Sequence, residues 1–470
     1  MNNKKLAKNL ILSVAAQAIS LLTSFIVGLV VPKFIDGLQY SYWEIFLLYF
    51  SYVGVFHFGL LDGMILKYSQ YDYEELDKTR MRSQFQVLLL ISSTISVLIA
   101  LISTVALGNE YVWIGILVAI GVIVQNTFTY NSYTFQMTNR INYYAFLVIA
   151  QRLLYGILIV VCLLCKLTEF YWFCLADLIS LAVASIVASF FNKGMYLGKG
   201  LSLRETFNEA WSNISAGAFL MIANLSSMLI VGGAKMVIQW RWDELVFGKL
   251  AFAFRIANIF LAFVTAISVV LFPSLKRMKQ EEYPLLFKKL RGALMPILFL
   301  VLTVYFPGCW LLSKWLPNYS ESLVYLGILL PLIVFSSKNN LLTNNYLKVY
   351  RKEKVMLAIN LGSVAFGMLL FIISAYLFNN LEFVLFGLIV AIMLSSIVSE
   401  IVVMKQIGKL QIRHFIIEFA MTAIFIFSAR YCSLWIGFAV YAVALLIYSV
   451  FYRKDLAEIC KPILLKLRKK

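Results

Sequence analysis

The chain has 470 residues, 62% of them apolar and only 14% charged, with a mean hydropathy of +0.85. These values exclude a soluble globular domain, a disordered or collagen-like chain and a disulfide scaffold. Long charge-free runs such as Ala293 to Leu312 exclude an outer-membrane barrel, whose strands alternate apolar and polar residues. The fold class is an all-α polytopic membrane protein. A net charge of +18 then raises the question of where the 41 Lys and Arg lie relative to the spans.

A crossing needs about 20 apolar residues. On that rule the spans fall near 9–31, 43–66, 83–107, 112–135, 143–165, 170–191, 212–233, 246–274, 292–313, 322–347, 355–378, 382–403, 414–430 and 433–452, fourteen in all. The first is too long for a signal-peptide core and lacks a small-residue cleavage site, so it is expected to remain as a helix. Cysteines such as Cys162, Cys165 and Cys174 lie in apolar runs and read as packing residues.

With the N-terminus and its Lys4, Lys5 and Lys8 placed in the cytoplasm, inside segments carry 32 basic residues and outside loops 6. The positive-inside rule therefore places both termini in the cytoplasm. Arg291 and Lys338 are counted among the inside charges, and Glu400 and Glu418, near helix ends, read as solvated. The basic excess is a topology signal and a contact with anionic head groups of membrane lipids; nucleic acid is not an expected partner.

The expected organisation is an N-terminal lobe of six spans (1–191), a cytoplasmic amphipathic linker (192–211), a second six-span lobe (212–403), and two further spans with a basic tail (404–470). A weak parallel repeat supports the two lobes: at one offset Asn126 falls on Asn339, Asn131 on Asn344 and Tyr133 on Tyr346, at the ends of the fourth and tenth spans.

Two histidines make no zinc site, and no phosphate loop, H-E-x-x-H or nucleophile elbow is present, so neither an enzyme nor a cofactor is expected. Function then rests on polar groups inside the spans, where a charge costs about 2.5–3.5 kcal/mol to insert and must face protein or water. Arg255 stacks at helical spacing with Asn258, Ala262 and Thr265, and Lys249 sits on another face of the same span. The first span carries Ser13, Gln17, Ser20 and Ser24, and the seventh Asn213, Gly217, Asn224 and Ser227. Such stripes fit helix packing or a shared central cavity. Arg152 and Asp177, in the fifth and sixth spans, are placed to pair, unless Arg152 stands at a vestibule. Asp62, in Phe58-Gly-Leu-Leu-Asp-Gly-Met, sits beside glycines that permit a bend, as a gate or coupling candidate.

Four segments carry a resemblance: Phe58-Gly-Leu-Leu-Asp-Gly-Met-Ile-Leu-Lys-Tyr-Ser, Phe135-Gln-Met-Thr-Asn-Arg-Ile-Asn-Tyr-Tyr-Ala, Phe207-Asn-Glu-Ala-Trp-Ser-Asn-Ile, and Phe247-Gly-Lys-Leu-Ala-Phe-Ala-Phe-Arg-Ile-Ala running to Val270-Leu-Phe-Pro-Ser-Leu. In order and topology the chain resembles the Wzx-type polysaccharide repeat-unit flippases of the multidrug/oligosaccharidyl-lipid/polysaccharide exporter superfamily. The resemblance implies two six-helix lobes around a central cavity, plus two C-terminal helices. It also implies alternating-access export of an undecaprenyl-diphosphate-linked oligosaccharide across the plasma membrane, with the polysaccharide polymerase and chain-length machinery as partners. Arg255 matches its cationic position. On this reading Arg255, Lys249 and Arg152 hold the diphosphate, Gln17, Asn126, Asn224 and Asn258 contact sugar hydroxyls, and Asp62 and Asp177 serve gating or coupling. Relatives often carry an acid where this chain has Gly232-Gly-Ala-Lys235, so no simple cation-coupling scheme is read from it. A lipid II-type flippase and a multidrug antiporter stay open as alternatives.

Overall fold

A computed structural model of the chain describes residues 3–276, 280–408 and 412–451, with side chains described from 17 to 261 and from 281 onward. In chain order the α-helices are α1 (Asn3–Phe34), α2 (Gly37–Phe50), α3 (Leu60–Tyr68), α4 (Lys78–Ala106), α5 (Asn109–Met137), α6 (Ile141–Leu164), α7 (Phe170–Phe191), α8 (Leu203–Arg241) and α9 (Glu244–Lys276). They continue with α10 (Tyr283–Leu302), α11 (Tyr305–Trp315), α12 (Ser320–Leu329), α13 (Pro331–Lys338), α14 (Asn344–Val349), α15 (Glu353–Ile372), α16 (Leu381–Ile407), α17 (Ile412–Tyr431) and α18 (Leu434–Phe451). No strand occurs among the described residues.

Among the described residues, eleven helices are long and apolar enough to cross a membrane, and two bent pairs, each taken as one span, bring the number to thirteen. One bent pair is α2–α3, turning by 54°, and the other is α12 with α13–α14, turning by 41°. α9 stands where the eighth span is expected and α10 with α11 where the ninth is, so each of the fourteen predicted spans falls on one helix or on consecutive helices. The chain is a multi-pass membrane protein.

It forms two compact units, Met1–Met228 and Leu229–Lys470. In the first, α1 packs on α6, α5 on α4 and α7, and α2 on α5 and α7. In the second, α9 packs along α12–α14, α15 on α16, and α17 on α12 and α18. The boundary between the units falls inside α8, which begins at Leu203, within the 192–211 segment read as a linker. The reason is local: Ser202 and Glu205 form a reciprocal capping box, with Ser202 Oγ donating to the Glu205 carboxylate at 2.7 Å and the Ser202 N–H reaching it at 3.2 Å. Those bonds start the helix at Leu203. Asp77 caps α4 in the same way, accepting from the N–H groups of Thr79 (3.0 Å) and Arg80 (3.2 Å).

Both units tie the fourth span of their set to the third through a tyrosine. Tyr130 donates to the carbonyl of Met81 (3.1 Å), and Tyr346 to that of Tyr283 (3.2 Å). The contact that matches Tyr346 is therefore made by Tyr130, one helical turn before the Tyr133 that the sequence offset selects. A π-helical turn, Asn339–Thr343, precedes α14 in the second unit, and such a turn shifts the register locally.

Candidate functional site

In the N-terminal unit, the bend of the second span is built around Asp62. Phe58 and Gly59 adopt left-handed conformations (φ 51° and 84°), which ends one helical segment and starts the next. The Gly59 N–H donates to His57 Nδ1 at 3.0 Å, so neutral His57 carries its proton on Nε2, which lies 3.8 Å from Asp62 Oδ2. Both side chains are buried. The bend presses on α8: a side-chain carbon added at Gly63 would enter the backbone carbonyl of Asn213, and one at Gly217 would enter that of Gly59. The glycines are thus required by contact between two backbones, and Asp62 is held at that contact.

Asp177 on α7 is also buried, and Gln151 Nε2 donates to it at 3.3 Å and to Ser180 Oγ at 2.9 Å. Arg152 is half-buried and its charge acts on Asp177, but the hydrogen bond is made by Gln151. Asn126 is fully buried and donates to Ser92 Oγ on α4 at 3.1 Å, which makes it a helix-packing group with no face open to a ligand in this conformation. Gln17 is exposed and pairs with the Tyr144 hydroxyl, and Asn224 is exposed on α8.

In the C-terminal unit α9 carries Lys249, Arg255 and Asn258. Lys249 forms an ion pair with Glu321 of α12. Arg255 is half-buried between the buried Phe254 and Ile256, and Asn258 is exposed. The rest of that stripe, the side chains of Ala262 and Thr265, lies outside the described residues, as do that of Ser13, the side chains of Lys4, Lys5, Lys8 and Lys276, and Arg277, Lys279, Lys409 and the C-terminal tail.

The largest concentration of buried charge lies elsewhere. Arg291 (α10), Lys338 (α13), Glu400 (α16) and Glu418 (α17) form a closed tetrad, with exposures of 5%, 0%, 0% and 2%. Lys338 Nζ lies 2.8 Å from a carboxylate oxygen of each glutamate, and Arg291 donates to both as well. The expectation that Glu400 and Glu418 are solvated, and Arg291 and Lys338 topology charges, is corrected here. Arg291 is eight residues into α10 and Glu400 seven from the end of α16, about 10–12 Å at 1.5 Å per residue, so the two lie at similar distances from their helix ends. In the sequence these four are separate charges near the ends of four distant spans, and no local pattern pairs them.

No family model matches the chain, and no curated protein matches it by sequence. Solved structures do resemble it. A lipid II flippase, MurJ, in an inward closed conformation superposes with a TM-score of 0.65 at 13% identity, over 95% of this chain and 99% of that one. An inward-facing multidrug resistance MATE family transporter of the MOP superfamily gives 0.61 at 14% identity, over 83% of this chain and 94% of that one. A MATE structure in a straight conformation gives 0.54 at 14%, over 86% and 96%. At these identities the likeness shows the fold, which is that of the MOP-type transporters, and these neighbours are transporters and flippases.

Proposed function

We propose that the chain is a flippase that carries a lipid-linked oligosaccharide, its diphosphate borne on a polyprenyl chain, from the cytoplasmic to the outer face of the plasma membrane by alternating access. The observation that carries the reading is the likeness over nearly the whole length to a lipid II flippase, 95% of this chain against 83% for the multidrug transporter. The basic residues add to it. Arg255, half-buried on α9, is the cation assigned to the diphosphate, with Lys249, which pairs with Glu321, on the same helix. Gln17, Asn224 and Asn258 are exposed polar groups suited to sugar hydroxyls. An inside-negative potential of 100 mV contributes about 2.3 kcal/mol per negative charge moved outward, which favours export of an anionic head group.

The test is deletion of the gene in its host, with analysis of surface polysaccharide and of lipid-linked oligosaccharide. Loss of the polymer with accumulation of complete repeat units on the cytoplasmic face supports the reading. A normal polymer with new sensitivity to cationic drugs replaces it by the antiporter reading. In complemented cells, Arg255→Ala is expected to lower export about ten-fold or more, because hydrogen bonds to charged groups contribute about 1.5–3 kcal/mol. Full export by this variant at wild-type protein level removes Arg255 from the site.

A further inference from the structure

The N-terminal unit carries a groove that the transport reading does not use. Between α6 and α7 its lining includes three alanines, Ala150, Ala184 and Ala188, with Phe146, Leu154 and Val187 beside them. The lining is apolar and aromatic from Tyr143 to Leu154, a length of about 16 Å at 1.5 Å per residue, or roughly one leaflet of a 30 Å core. Phe146, Val183, Val187 and Phe191 are exposed along it, as side chains facing lipid tails are.

One end of the groove carries a cation. The Arg140 guanidinium lies 4.3 Å from the ring centre of Tyr143 and 5.1 Å from that of Phe135, both lining residues, and 4.2 Å from that of Tyr73. Its Nη1 donates to Asn192 Oδ1 (3.0 Å) and its Nη2 to the carbonyl of Phe191 (3.1 Å), a third lining residue. Those bonds fix the guanidinium at the groove end and use two of its five N–H groups. Lys193, two residues past Phe191 in the chain, is exposed, its ammonium 5.9 Å from the ring centre of Phe190.

We propose that this groove is a binding site for an anionic phospholipid of the leaflet at the basic end of the bundle. One acyl chain lies along the alanines, and the phosphate meets Arg140 and Lys193. The apolar length accounts for the chain, and the fixed guanidinium together with the exposed ammonium accounts for the charge. A purely apolar lipid contact would need neither.

The test uses the full chain purified in detergent and offered equal phosphatidylglycerol and phosphatidylcholine, with retained lipid counted by native mass spectrometry. The wild type is expected to retain phosphatidylglycerol about five-fold more per basic residue engaged, which corresponds to ~1 kcal/mol for each Lys or Arg near the surface. Arg140→Gln with Lys193→Gln should bring the two lipids to parity. Ala184→Phe should fill the groove and lower retention of both, and Ala188→Leu gives the same reading if the larger residue prevents folding. Equal retention of the two lipids by the wild type overturns the proposal. So does a preference that survives the double substitution, or retention unchanged in a folded groove variant.

Discussion

Glu418→Ala is expected to destabilise the folded chain by about 3–5 kcal/mol, the cost of breaking a buried ion pair from one side. The tetrad is neutral because two acids balance two bases. Without Glu418, Arg291 and Lys338 share Glu400 alone, and one positive charge is left in a site where all four side chains are almost fully enclosed. The effect reaches beyond one helix, because Glu418 lies on α17 while its partners lie on α10 and α13. α17 is thereby joined electrostatically to α10 and α13. The thermal midpoint of the purified protein measures the loss. Lys338→Met combined with Glu418→Leu keeps the Arg291–Glu400 pair and restores neutrality, so it should recover most of the stability. A double variant no better than Glu418→Ala would mean that packing rather than charge balance dominates there.

Gly63→Ala should come next in size. The added carbon meets the backbone carbonyl of Asn213, and backbone cannot rotate away as a side chain can. The cost is expected at the upper end of the roughly 1–3 kcal/mol found for overpacking, or beyond it. Gly217→Ala should behave alike, since it strikes the same crossing from α8. Gly54, whose added carbon would meet nothing within 4 Å, is the internal control and should tolerate alanine with little change in midpoint. Equal midpoints for all three variants would show that the α3–α8 crossing can open without penalty.

The hydropathy pattern made the spans legible because a helix in lipid must satisfy its own backbone, which leaves length and apolarity as the main requirement. Asp62 and its glycines were legible as a bend for a similarly local reason, since left-handed turns and close backbone contacts select glycine. Long-range pairing was not legible. Arg291 and Lys338 follow the positive-inside pattern as surface charges would, and only packing of four distant spans shows that they answer Glu400 and Glu418. Asn126 and Arg255 both look like polar residues in apolar helices, yet one is enclosed against Ser92 and the other is half-buried on α9. Periodicity reports a helical face, not what covers it. At the linker, the Ser202–Glu205 capping pair was present in the sequence, and it opens a 39-residue helix.

The central claim is that this chain moves a lipid-linked oligosaccharide across a bilayer. The most direct measurement reconstitutes the purified chain in vesicles holding a fluorescent polyprenyl-diphosphate oligosaccharide and follows its accessibility to an impermeant quencher. The account predicts that accessibility rises beyond the outer-leaflet fraction in vesicles with the wild-type chain, and far more slowly with Arg255→Ala. Accessibility fixed at the protein-free value, from a chain that is folded and inserted, would contradict it.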